Sequence, residues 1–207
     1  VREQVNRISN NLVGRGLEPE RPLAVLSENC VKMALFQMAC MQVGFAVTPI
    51  SYAYSAISKT GSHIKHILDV TDPPMLVMSD ADLHMNKLRQ WDLGNLEMIA
   101  FSNSEHHSNV QDFTSLLEAD GELSSGSRTR FDSVNKDTTA KIQFTSGSTN
   151  LPKGVMVTHG MMVSNQVGIH QMWPFMDSNE VIVDWLPWNH TFGGNFVFNM
   201  MLKHGGT

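Results

Sequence analysis

Cysteine is nearly missing. Cys30 and Cys40 are the only two in 207 residues, too few for a disulfide framework or a zinc cluster, and both are expected as reduced thiols packed in an apolar stretch. Positive charge is also in deficit. Lys and Arg number 15 against 20 Asp and Glu, a formal charge of −5, which excludes the basic surface that draws nucleic acid or anionic lipid. Any bound anion must then be gripped locally, by backbone amides and a few placed cations. No apolar run reaches bilayer length. The longest, Met33 to Val47, is broken by Gln37 and Gln42 and closed by Gly44, so it is predicted as a core helix and not a membrane span. Ser27, Glu28 and Asn29 offer capping oxygens at its start, and Gly44 suits the left-handed residue that follows a helix end. No leader, fixed-period repeat or low-complexity tract is visible, and a cytoplasmic location is expected. The start at Val1 and the stop at Thr207 after an apolar segment read as a piece cut from a longer chain.

What is present is a core-forming composition, 42% hydrophobic, with helical and extended patterns in alternation. Val5, Ile8 and Leu12 recur at helical spacing, and Pro22 to Leu26 is a short apolar run suited to a buried strand. After the core helix come strand-like Ala46 to Ile50, a helical stretch around Ile57, Ile64, Ile67 and Leu68, then Met75 to Met78. A helical segment from Leu83 to Trp91 leads to Met98 to Phe101. Residues 1–101 are therefore predicted as βα units feeding a doubly wound α/β layout, with parallel-rich sheets flanked by helices. Residues 102–137 turn polar and are predicted as a surface connection with one short helix near Phe113, Leu116 and Leu117. The 14 methionines suit adaptable core packing.

Residues 138–207 carry the chemistry. Lys141 to His159 reads KIQFTSGSTNLPKGVMVTH, with strand-like Ile142 to Phe144 and Val155 to Val157 flanking a loop of small residues. Gly147 lets backbone amides turn inward, Thr145, Ser146, Ser148 and Thr149 add hydroxyl donors, and Lys153 adds a mobile positive charge. An ordinary hairpin turn needs glycine and hydroxyl residues but not the Pro-Lys-Gly order, so the loop is predicted as a polyphosphate cradle. It is not a Walker A loop, because Pro152 stands where that motif needs glycine before its lysine and Lys153 precedes Gly154. Nor is it a hydrolase elbow, because Ser148 lacks glycine on both sides at spacing two.

TSGSTNLPKGV, residues 145–155, resembles the phosphate-binding signature TSGTTGxPKG of the adenylate-forming superfamily: acyl- and aryl-CoA synthetases, peptide synthetase adenylation domains and luciferases. Asn150 departs from the family's glycine, although asparagine tolerates positive φ better than other side chains. A second stretch, VIVDWLPWNHTFGGN from Val181 to Asn195, resembles the family segment in which Leu186 and Pro187 are followed by His190. Its wording is similar to feruloyl-CoA synthetases, with Asn189 where fatty-acyl and acetyl relatives carry Phe. The resemblance implies part of an N-terminal AMP-binding domain, with the C-terminal domain absent. It also implies an ATP-dependent ligase that adenylates a hydroxycinnamate-like carboxylate and passes the acyl group to coenzyme A, with Mg²⁺. Lys153 and His190 would be catalytic; Thr145, Ser146, Gly147, Ser148, Thr149 and Lys153 would bind phosphate; Trp188, Asn189, His190, Phe192 and Gly193 would shape the acyl pocket. No metal ligand is assigned.

The family's adenine, ribose and adenylation-lysine residues have no counterpart before Thr207, so these 207 residues alone are not expected to turn over ATP. A fatty-acyl-CoA synthetase, an inactive nucleotide-binding relative, and a serine hydrolase using Ser148, Asp184 and His190 stay open as alternatives, as does a structural role for His190. Asp184 is expected at a strand end or facing solvent, and His106 and His107 in a solvated loop. His63, His66 and Asp69 share a helical side with metal-ligand types but lack shell partners, and the oligomeric state is left open.

Overall fold

The structure is a computed structural model that describes residues 1–58, 60–145, 151–175 and 180–206. Helix α1 (Arg2–Gly14) precedes strand β1 (Leu23–Ser27), helix α2 (Val31–Gln42) and strand β2 (Val47–Ser51). The short α3 (Ala53–Ala56) and α4 (Ser62–Thr71) lead to β3 (Met75–Met78), α5 (Ala81–Leu88), β4 (Glu97–Ala100) and β5 (Val110–Asp112). Helix α6 (Ser125–Ser133), strands β6 (Thr139–Thr145) and β7 (Lys153–Thr158), and helices α7 (His159–Met172) and α8 (Asn199–His204) follow.

The strands form one sheet in the order β5-β4-β3-β1-β2-β6-β7. All neighbours run parallel except β6 and β7, which are antiparallel. The predicted α/β class with a mostly parallel sheet is the one observed. β1 is central because every residue in it is apolar or small and buried, the pattern of a strand covered on both faces. Its side chains alternate between two cores: Leu23 and Val25 face Leu12 and Phe36, while Ala24 and Leu26 face Ile64 and Ile67. From β1 the chain steps to β2 on one side, and from β3 to β4 on the other. The order thus reverses between β1 and β3, and their carboxyl ends open a crevice.

Several expectations change. Residues 102–137 are more than a surface connection: they supply edge strand β5, a 3₁₀ turn at Phe113–Leu117 that buries Phe113 and Leu116, and helix α6. A three-residue strand with one buried side chain is too short to show a period. None of Ser27, Glu28 and Asn29 caps α2; Cys30 does, its sulfur accepting from the Met33 N–H at 3.4 Å. Cys40 is buried and burial pushes its thiol up. Gly44 takes φ +76 after α2, as expected. Ile57 lies before α4 and is exposed. His106 is exposed, as expected, but His107 is not solvated: both bond Asp82, at 2.9 and 2.8 Å, and His107 is buried against Arg89. The Asp82 carboxylate holds His106 above the usual imidazole range. His84 is fully buried between the Ser55 and Ser79 hydroxyls, at 2.8 and 2.9 Å, and desolvation lowers it to about 4. It stays neutral and ties α5 to α3 and to the end of β3.

Among the described residues, no helix is long and apolar enough to cross a membrane.

Candidate active site

The antiparallel register sets Thr145 opposite Lys153, so the β6–β7 hairpin ends with the first hydroxyl and the lysine of the predicted cradle side by side. Both are exposed. Ser146, Gly147, Ser148, Thr149 and Asn150 lie outside the described residues. On the exit side, His66 Nε2 bonds the Pro152 carbonyl at 2.9 Å, which pins the loop base to α4. A carbonyl only accepts, so Nε2 carries the proton. The metal-type trio is spent elsewhere: His63 stacks on Tyr54, His66 holds Pro152 and Asp69 pairs with Lys65. Among the described residues Lys153 enters no ion pair.

Residues 186–198 make the second wall. Asn29, in the β1–α2 turn, clamps this segment through its amide: Nδ2 donates to the Leu186 carbonyl and Oδ1 accepts from the Trp188 N–H, both at 2.8 Å. That clamp is what Asn29 does in place of capping. Asp184 also departs from expectation, with its oxygens accepting from the Leu186 N–H at 2.9 Å and the Trp188 indole at 3.3 Å. It does not bond His190, so the Asp–His pair of a hydrolase triad is not formed. The chain then turns into a wide π-helical segment, Phe192–Phe198. His190 Nδ1 accepts from the Phe192 N–H at 3.3 Å. In the neutral ring Nε2 therefore bears the proton and is a donor.

Between β7, α7 and the π-segment lies a cavity of about 500 Å³, walled by Val155, Val157, Met161, His190, Phe192 and Phe196, with Thr191 and Asn195 as polar edges. His190 and Phe192 of the predicted pocket are brought together here. The others are not. Asn189 faces a separate cleft beside Ser27, Tyr52 and Trp185; Trp188 packs on Phe198 at 4.7 Å between ring centroids; Gly193 is buried beneath the Pro187 carbonyl.

Behind this wall is a polar cluster that the motifs alone do not reveal. Lys141 is fully buried on β6. Its Nζ donates to the Gly194 carbonyl and to Asn195 Oδ1, both at 3.4 Å, and desolvation lowers it to about 8. Gln143 receives the Asn195 amide at 2.6 Å, and Gln166 of α7 donates to the Asn195 carbonyl at 2.7 Å. A signal for the cluster was nonetheless available. Lys141 and Gln143 sit two apart in a strand and share one face, so a buried face was certain to carry both.

The buried lysine makes a stability prediction. Between pH 8 and its unfolded value of 10.5 the unfolded chain binds more protons than the folded one, so stability rises with pH through that window. Lys141→Met lacks this rise. The variant's stability relative to the wild type should fall by on the order of 3 kcal/mol between pH 7 and pH 10.5, read from urea midpoints; a constant difference would show an ordinary lysine.

Residues 1–207 match the family described as AMP-binding enzyme. The chain belongs to the AMP-binding enzyme family. Within it, Long chain acyl-CoA synthetase 8 of Arabidopsis thaliana is 47% identical over 58 residues, 28% of this chain and 8% of that protein. Tyrocidine synthase 3 of Brevibacillus parabrevis is 26% identical over 166 residues, 79% of this chain and 2% of that one. ATP-bound MatB from Rhodopseudomonas palustris shares the fold, with a TM-score of 0.75 at 22% identity, covering 99% of this chain and 38% of that one. The chain spans well under half the length of each.

Proposed function

We propose that this segment grips the phosphates of ATP and positions an aryl carboxylate, of hydroxycinnamate type, for adenylation and later transfer to coenzyme A. The observation that carries the reading is the hairpin that sets Lys153 beside Thr145 at the ends of the TSGSTNLPKG loop, across β7 from a cavity sized for a substituted aromatic ring.

The chemistry asks little covalent work of the protein. A carboxylate oxygen bonds the α-phosphorus as the bond to pyrophosphate breaks, and negative charge gathers on the leaving group. Lys153 would meet that charge together with the donors the loop sequence supplies, and preorganised donors cost no rearrangement at the moment of reaction. Nε2–H of His190 offers a hydrogen bond to the acyl oxygen at the mouth of the cavity. In the second half-reaction the coenzyme A sulfur bonds the acyl carbon, AMP leaves with the bonding pair, and the thiol proton passes to solvent or a base. Mg²⁺, which neutralises phosphate charge, is proposed to arrive with ATP.

The aromatic walls Phe192 and Phe196 and the Asn189 wording favour an aryl acid. A fatty-acyl substrate is the second reading, favoured by the short match to a long-chain synthetase. Titrating the chain with ferulate, coumarate, benzoate and octanoate in the presence of MgATP separates them. The hydroxycinnamates should bind most tightly; a preference for octanoate would transfer the assignment to fatty acids.

A further inference from the structure

The amides behind the acyl cavity can be oriented by elementary donor and acceptor logic. Lys141 has only donors to offer, so the Asn195 atom that meets it at 3.4 Å is the oxygen. Asn195 must then turn its NH₂ toward β6, where it donates to Gln143 Oε1 at 2.6 Å. The Thr191 hydroxyl donates to that same oxygen at 3.4 Å. The Gln143 oxygen is thereby saturated, and its NH₂ is the end left over. That nitrogen is buried and has no partner among the described residues, in a side chain only 2% exposed.

An unmet buried donor is uncommon, because its lost hydration goes uncompensated until an acceptor reaches it. Its surroundings say what would meet it. Thr191 and Asn195, which hold the Gln143 oxygen, are the polar edges of the acyl cavity, and Val155, directly across the hairpin from Gln143, is one of its walls. Of the other lining residues Asn165 and His190 are polar, and neither is hydrogen-bonded to this nitrogen; the rest are aliphatic or aromatic and have no acceptor to offer.

We propose that Gln143 is a specificity-determining residue of the acyl cavity, its side-chain N–H donating to a ring oxygen of a hydroxy- or methoxy-substituted aryl acid. The inference rests on the acyl-pocket reading above and adds the ring substituent to it. An alkyl chain or an unsubstituted ring carries no acceptor at that end and leaves the amide unpaired. The preference for a ring oxygen should then be roughly 10- to 100-fold in affinity.

The test uses ¹⁵N-labelled chain, with the Gln143 side-chain NH₂ resonances assigned by their loss in Gln143→Met. Ferulate, cinnamate and octanoate are each titrated against both proteins. Ferulate should bind wild type roughly 10- to 100-fold more tightly than cinnamate and should move the Gln143 resonances, and the ratio should collapse toward one in Gln143→Met. Equal binding of ferulate and cinnamate by wild type, or a ratio that survives in Gln143→Met, overturns the inference and leaves the acyl pocket standing. If none of the three acids binds, the acyl-pocket reading itself falls. Should Gln143→Met fail to fold, Gln143→Glu supplies the assignment and the comparison, and equal binding of ferulate and cinnamate by wild type overturns the inference without any variant.

Discussion

Gly194→Ala should destabilise the protein by on the order of 3 kcal/mol and abolish binding at the cavity proposed for the acyl group. A Cβ on Gly194 would stand 2.2 Å from the Trp188 carbonyl oxygen, and one on Gly193 would stand 2.5 Å from that of Pro187. Both obstacles are backbone, which cannot rotate aside as a side chain can. The turn is also held in place. Asn29 clamps Leu186 and Trp188 from the β1–α2 side, and the Gly194 N–H donates to the His190 carbonyl at 2.8 Å. To admit the methyl group the chain must release one of these bonds, and His190 and Phe192 move with it. Gly168→Ala on α7 is the control, since its Cβ would meet nothing within 4 Å, and it should be neutral or stabilising by up to about 1 kcal/mol. Urea midpoints for the two variants test the contrast. A Gly194→Ala protein as stable as Gly168→Ala would show that residues 186–194 are not packed as described.

Lys153→Ala should leave stability unchanged and remove phosphate binding. The lysine is exposed and enters no ion pair among the described residues, so the fold has little to lose. The proposed function gives it the one mobile positive charge at the loop, on a molecule whose net charge of −5 otherwise repels pyrophosphate. Pyrophosphate and MgATP affinity should fall about 10-fold or more. Carboxylate-dependent ATP–pyrophosphate exchange by an active enzyme carrying this segment should fall by a factor on the order of 10² to 10³. Lys153→Arg should recover charge but not the compact geometry, and so should rank between the two. Unchanged pyrophosphate affinity in Lys153→Ala would remove the phosphate cradle as the reading of this loop.

Much of the scaffold was legible because its signals are local. Fully apolar runs such as Met75 to Met78 become buried parallel strands, and the helical recurrence of Val5, Ile8 and Leu12 becomes α1, since a period of side-chain polarity states directly which face is covered. The elements that escaped are those whose role is made by distant partners. Asn29 resembles a helix cap in the chain, yet its amide is spent on residues more than 150 positions away. His107 resembles a solvated loop residue until Asp82 and Arg89 fold against it. The connection at 102–137 hid strand β5 because pairing with β4, and not its own composition, makes those residues a strand.

At the candidate site the division is similar. The order of small, hydroxyl and basic residues from Thr145 to Gly154 already carried the family, and the phosphate cradle proposed for it rests on that same order, because gripping an anion would need those groups in series along one stretch of chain. The grouping of His190 and Phe192 with Val155 and Val157, the separation of Asn189 into another cleft, and the buried alignment of Lys141, Asn195 and Gln143 were decided only by tertiary structure. Those relations depend on which faces of β6, β7 and the π-segment are pressed together, and a hydrogen-bond chain between a strand and the π-segment acquires its direction only once donor and acceptor have been brought within reach of each other.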